Sequence, residues 1–131
     1  INELVEEFQD DARIICVGSV ASKQITASVG YTISKSSLEN YVRLMSREFI
    51  PKNIHIMCLS MGAFWAENNA MDRLKISKPD IFHKYIEEKL PRKKMGELSE
   101  IIPMIKFLFF QEVGMLSGSI IPMDGGEKIL I

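Results

Sequence analysis

Cysteine and histidine are scarce in this chain, two of each in 131 residues. Cys16 and Cys58 each sit inside an apolar run, the setting of reduced core thiols rather than of a disulfide or a metal pair. His55 and His83 lie far apart, without a Cys, Asp or Glu ligand pattern beside them, so no metal site is expected. One histidine is placed in or beside a strand and the other on a helix surface. Excess positive charge is also missing: the net charge is −1 and the pI about 6.2. The longest basic run, Arg92-Lys93-Lys94, reads as solvated loop, so nucleic acid is not an expected partner. The longest apolar stretch, Met104 to Phe110, is interrupted by Lys106 and falls short of the ~20 residues a membrane helix needs. No signal-peptide pattern or internal repeat occurs. Together these absences lead to the expectation of a cytoplasmic protein without a membrane partner. The first residue is Ile1 rather than Met, which suggests a trimmed or processed piece of a longer chain.

What is present is enough for one domain over residues 1–131, with 47% hydrophobic and 25% charged residues. Ile1, Leu4, Val5 and Phe8 fall on one face of a helix. Arg13 to Val17 holds the compact branched run Ile14-Ile15-Cys16-Val17, as a buried parallel strand does. Gly18 to Gly30 reads as a loop, and Tyr31 to Phe49 as a helix closed by Pro51-Lys52-Asn53. A second strand is expected over Ile54 to Ser60, followed by an irregular Met61–Lys75. A short helix then runs from about Pro79 to Lys89, and a strong one from Leu98 to Phe109 with Pro103 near its start. Ser117 to Met123 reads as a third strand. Helix–strand–helix–strand–helix–helix–strand predicts an α/β fold with a parallel sheet of about three strands and flanking helices.

The chemistry concentrates near the first strand's end. Tyr31 and Lys35 are four apart, so they share a helix face and an ammonium can stand beside a phenol. Ser19 lies twelve residues before Tyr31, at the carboxyl end of the first strand, where open parallel sheets bind ligands. Gly62 follows the second strand and Asp124-Gly125-Gly126 the third, so separate stretches converge on one rim. A Tyr-x-x-x-Lys pair alone is usually solvated surface. Strand end, small-residue loop, Ser, then Tyr and Lys opening a helix is far more specific.

With these residues in place, the chain resembles the carboxyl-terminal half of a short-chain dehydrogenase/reductase. Arg13 to Ser19 looks like that family's strand ending in the catalytic serine. Tyr31-Thr32-Ile33-Ser34-Lys35 fits its Tyr-x-x-Ser-Lys form, and Arg47 to Ile54 is similar to the helix end and turn that follow. Gly96 to Ile101 and Ser117 to Gly126 look like its late helix start and closing strand. The resemblance implies a partial Rossmann-like three-layer fold and an NAD(P)-dependent oxidoreductase interconverting a carbonyl and an alcohol. It implies Tyr31 as proton donor or acceptor, Lys35 as the group that lowers the tyrosine pKa and bonds the nicotinamide ribose, and Ser19 as the group that orients the substrate oxygen. Gly62, Ala63 and Phe64 would lie near the nicotinamide. It further implies a homodimer or homotetramer, with Leu38, Tyr41, Val42 and Met45 available for subunit packing.

Four departures qualify that picture. Met61-Gly62 stands where the family has Pro-Gly, and Ala66 stands where it has a cofactor-contacting Thr. The usual Asn of the second strand is replaced around Met57. The glycine-rich turn, ribose selector and upstream Asn of the amino-terminal half have no counterpart: Gly125-Gly126 follow the last strand rather than opening a helix. The isolated chain is therefore expected to be inactive and to bind NAD or NADP poorly or not at all, with the first strand's outer edge left for another segment, a second copy or solvent to cover. The alternative from a different class is a non-catalytic binding or assembly module. Phe64, Trp65 and Met71, in the segment that varies with substrate in the family, are placed either in an apolar pocket or in core and interface.

Overall fold

The computed structural model describes residues 7–24 and 27–127. The first helix expected, over residues 1–8, therefore lies almost wholly outside the described residues. Three parallel strands, β1 (Ala12–Ser19), β2 (Ile54–Met61) and β3 (Ile120–Met123), form a sheet in the order β1-β2-β3. β1 and β2 pair from Ala12 opposite Ile54 to Ser19 opposite Met61, and β3 joins from Cys58 opposite Ile120.

β2 is central, and seven of its eight residues are buried. Its side chains alternate between two cores. Ile54, Ile56 and Cys58 pack with Val42 and Phe49 of α1 (Val29–Phe49), whereas Met57, Leu59 and Met61 pack with Ile101 and Leu108 of α4 (Leu98–Phe110). A strand covered on both faces is apolar at nearly every position, which is why this run, with only His55 and Ser60 polar, shows no polar alternation. The result is the expected three-layer α/β arrangement. A third, smaller core under α3 (Pro79–Lys89) groups Phe82, Leu90 and Met95.

Local departures from the sequence reading have local causes. The segment read as irregular over Met61–Lys75 contains a helix, α2 (Ala70–Ser77), capped by Asn69, whose side chain accepts from the Asp72 N–H at 2.8 Å. Asn69 followed three residues later by Asp72 is a helix start hidden in an Asn-rich stretch. α1 begins two residues before Tyr31 because Ser28 caps it. β3 starts at Ile120, not Ser117. Gly118 has φ +83°, and its amide turns to the Ile56 carbonyl at 2.7 Å. A side chain there would meet the Ser46 hydroxyl at 2.6 Å, so glycine is required on both counts. Val42, offered by sequence as a subunit contact, is fully buried in the chain's own core, and Tyr41 and Met45 pack against it. The apolar residues that α1 does expose are Val29, Ile33 and Leu44.

Cys16 and Cys58 are cross-strand neighbours and remain free thiols. His55 lies in β2 and His83 on the exposed side of α3. Burial, reinforced by the Glu39 charge, pushes the Cys58 thiol from 9.0 up to about 11. The folded-state value is the higher one, so the associated stability is complete below pH 9 and is lost as pH rises toward 11. Urea denaturation from pH 8 to 11 is expected to show this decline, and Cys58→Ala to lessen it. An undiminished decline in the variant would rule the thiol out as its source.

Candidate active site

Parallel strands end on the same rim, and the residues singled out by sequence lie along it. The β1 chain runs directly into a 3-10 turn, Val20–Ser22, with Ser19 as its N-cap; the Ser19 hydroxyl accepts from the Ala21 N–H at 3.2 Å. Tyr31 stands in the first turn of α1, its amide held by Ser28 Oγ at 3.4 Å. One turn further, Lys35 Nζ lies 5.6 Å from the Tyr31 ring centroid and donates to the Val17 carbonyl at 2.8 Å. The ammonium is thus fixed between the phenol and the last turn of β1.

Ser19, Tyr31, Gly62, Ala63 and Phe64 all line one cavity of about 510 Å³, along with Met61, Met71, Tyr85 and Glu127. Lys35 is not in its wall; it stands behind Tyr31. Phe64 and Met71 thus take the pocket alternative left open by the sequence, although each also touches a core cluster. Trp65 turns to a neighbouring cleft of about 640 Å³ with Phe82, Met95 and Leu98.

The segment after β2 is braced despite lacking proline. Gly62 N–H donates to Met123 O at 3.0 Å, Ala63 O accepts from Gly96 N–H at 3.0 Å, Trp65 N–H donates to Gly96 O at 2.9 Å, and Asn69 Nδ2 donates to Phe64 O at 2.8 Å. A side chain at position 62 would fall 2.6 Å from Asp124 Cα, so only glycine lets the β2 and β3 ends meet. Met61 supplies no fixed φ, but these bonds hold the turn from outside it.

Two carboxylates that the sequence reading passed over complete the site. Glu39 of α1 is only 2% exposed. Its Oε1 accepts from Ser22 Oγ at 2.6 Å and from Ser60 Oγ at 3.1 Å, and Lys23 Nζ lies 3.8 Å from Oε2. Ser36 Oγ adds a bond to the Ser22 carbonyl at 2.5 Å. Tyr31, Lys35 and Glu39 are spaced at i, i+4 and i+8, so one face of α1 carries them all. Glu127, just past the glycine pair, accepts from the Ala63 N–H at 2.6 Å and from the Tyr85 hydroxyl. Burial, then this hydrogen bond and the Glu127 charge, push the Tyr85 phenol above its ordinary range, so it stays a donor. The spacing from Tyr31 to Glu39 was a signal available in the sequence; nothing local pointed to Glu127.

A family model described as Enoyl-(Acyl carrier protein) reductase matches residues 1–128. The chain belongs to the short-chain dehydrogenase/reductase family. An oxidoreductase of Thermotoga maritima is 31% identical over 98 residues, covering 74% of this chain and 39% of its own length. Levodione reductase of Leifsonia aquatica is 26% identical over 101 residues, covering 76% and 38% respectively. Among solved structures, a short-chain dehydrogenase family protein of Francisella tularensis superposes with a TM-score of 0.83 at 20% identity, over 96% of this chain and 55% of the other. RhlG of Pseudomonas aeruginosa, solved as an NADP active-site complex, gives 0.79 at 23% identity over 96% and 51%. These two likenesses concern the fold. The chain spans about two fifths of the length of the curated short-chain dehydrogenase relatives it matches, 39% and 38% in these two.

Glu39→Ala leaves two buried hydroxyls without an acceptor and opens space beneath the serine turn. We expect a loss of about 2–3 kcal/mol in urea unfolding at unchanged slope. Glu39→Gln keeps an acceptor and is expected to lose about 1 kcal/mol. Equal losses would show that the acceptor is immaterial.

Proposed function

We propose that this chain is the catalytic, substrate-side part of an NAD(P)-dependent oxidoreductase that interconverts a small-molecule carbonyl and its alcohol. The observation that carries the reading is the shared cavity: Ser19 and Tyr31 open onto it beside Gly62, Ala63 and Phe64, with Lys35 held behind the tyrosine.

In this reading the Tyr31 hydroxyl gives a proton to the carbonyl oxygen during reduction and takes it back during oxidation. The Ser19 hydroxyl donates to the same oxygen, fixing its position and drawing charge onto it. Lys35 places positive charge beside the phenol as its proton leaves. The α1 amino terminus adds its own positive dipole end, since Tyr31 lies in the first helical turn. Water is thinned by the apolar side chains of Met61, Phe64 and Met71 along the cavity wall.

The residues present fit one end of the cofactor. Gly62 to Phe64 give a close-set backbone on the rim opposite Ser19 and Tyr31, suited to a flat nicotinamide, and Tyr31 and Lys35 offer polar groups for its ribose. When bound, the nicotinamide supplies or accepts the hydride. The described residues hold no glycine-rich turn between a strand and a helix amino terminus, so they offer no cradle for its phosphates. We therefore assign that task to a segment outside this chain, and infer that the chain alone binds NADH and NADPH poorly and turns nothing over. Two protonated thiols accord with a cytoplasmic setting, and the exposed Val29, Ile33 and Leu44 of α1 accord with a homodimer or homotetramer. No helix of the described residues is long and apolar enough to cross a membrane.

In the intact protein, Tyr31→Phe is expected to lower turnover about 10²- to 10⁴-fold while leaving nicotinamide affinity within about twofold. Steady-state kinetics and cofactor titration measure the two effects. Turnover near that of the parent would overturn the assignment, as would tight NAD(P)H binding by the chain alone for the division of labour.

A further inference from the structure

Glu127 is the sole charged residue among the described residues that line the cavity of Ser19 and Tyr31. Its carboxylate bridges two elements, accepting from the Ala63 N–H at 2.6 Å on the rim and from the Tyr85 hydroxyl on α3. Both donors are neutral, so the bridge fixes the carboxylate in place without cancelling its charge. Each oxygen keeps a second acceptor site. The remaining wall is largely apolar or hydroxylic, and a concave wall of low polarisability strengthens the field of a fixed charge. A ligand that extends from Tyr31 toward Tyr85 on α3 must come close to that charge.

We propose that Glu127 selects the substrate by charge: the cavity accepts carbonyl compounds uncharged at the end facing α3 and rejects those carrying a carboxylate or phosphate there. This inference rests on the reading that the cavity holds the carbonyl/alcohol pair. Tyr85 acts as a positioning residue, since it holds the carboxylate and bonds no ligand in this scheme. The two unused acceptor sites suit a substrate hydroxyl, which can donate to Glu127 as an anion cannot.

The test compares 4-methylcyclohexanone with 4-oxocyclohexanecarboxylate, probes of similar size that differ in charge, binding to the chain at pH 7.5 in ligand-observed NMR titrations. The uncharged ketone is expected to bind roughly tenfold more tightly or better, the scale of one like-charge contact at partial exposure. Glu127→Gln, which can still accept from Ala63, is expected to bring the two within about threefold by improving the carboxylate alone. Tyr85→Phe keeps the charge and is expected to keep the discrimination, which separates charge from loss of the bridge. Circular dichroism melts confirm that both variants are folded. Equal binding of the two probes to the parent chain, a gap that survives Glu127→Gln, or binding of neither probe would overturn the proposal. Turnover is scored separately: absence of NAD(P)H-dependent carbonyl reduction by the intact protein overturns the oxidoreductase reading, whereas the binding ratio decides Glu127.

Discussion

A carboxylate buried beside a hydrophobic sheet must be satisfied or it destabilises the fold, and Glu39 imposes that demand here. Its partners come from two places: Ser22 and Lys23 at the turn after β1, and Ser60 in β2. Meeting the demand therefore fixes the turn, the helix and the central strand against one another. Ser19 caps that turn and Tyr31 lies two helical turns before Glu39, so the placement of these two residues follows from the buried acid. Charge is rarely placed in a core for stability alone. In this chain it joins the two elements whose relative position matters most to the cavity.

The second constraint is the meeting of strand ends. β2 and β3 approach so closely at Gly62 and Asp124 that no side chain fits between them. That closeness lets Glu127, beyond β3, reach the Ala63 amide, and lets the same carboxylate take the Tyr85 hydroxyl from α3. The rim is thus tied on one side by Glu39 and on the other by Glu127, with the cavity between. Neither tie uses the Ser19 or Tyr31 hydroxyl, and both of those residues line the cavity.

How much of this was legible in the sequence depended on the range of the interaction. β2 was readable because the run from Ile56 to Met61, apolar but for the small Ser60, suits a strand covered on both faces. α4 was readable from its stripe, and the Ser19, Tyr31 and Lys35 constellation from spacing along one strand and one helix. α2 was missed because its start, Asn69 with Asp72, looks like loop chemistry until the side chain is seen to cap the helix. β3 was drawn too long because the positive φ of Gly118 is a tertiary requirement, set by the Ser46 hydroxyl from another element. Glu39 was passed over because a lone acid in a helix is ordinarily solvated. Glu127 was invisible for a stronger reason: its partners are 64 and 42 residues away, and no local pattern encodes them.

Lys35 is held in place by the chain's own backbone. An ammonium this close to a phenol needs a fixed acceptor, or it swings into solvent and its field is lost to screening. The Val17 carbonyl supplies the acceptor, and Val17 itself is 54% exposed on β1, which pairs with β2 alone among the described strands. The lysine is therefore anchored by the chain's own strand. In the proposed reading, proton chemistry at Tyr31 is set up by α1, β1 and the serine turn, apart from the element that grips a dinucleotide's phosphates. The division has a physical basis: phosphate binding draws on backbone amides at a helix amino terminus, whereas proton transfer draws on side chains along a helix face. The two tasks place separate demands on the chain, and in the proposed reading these residues answer the second.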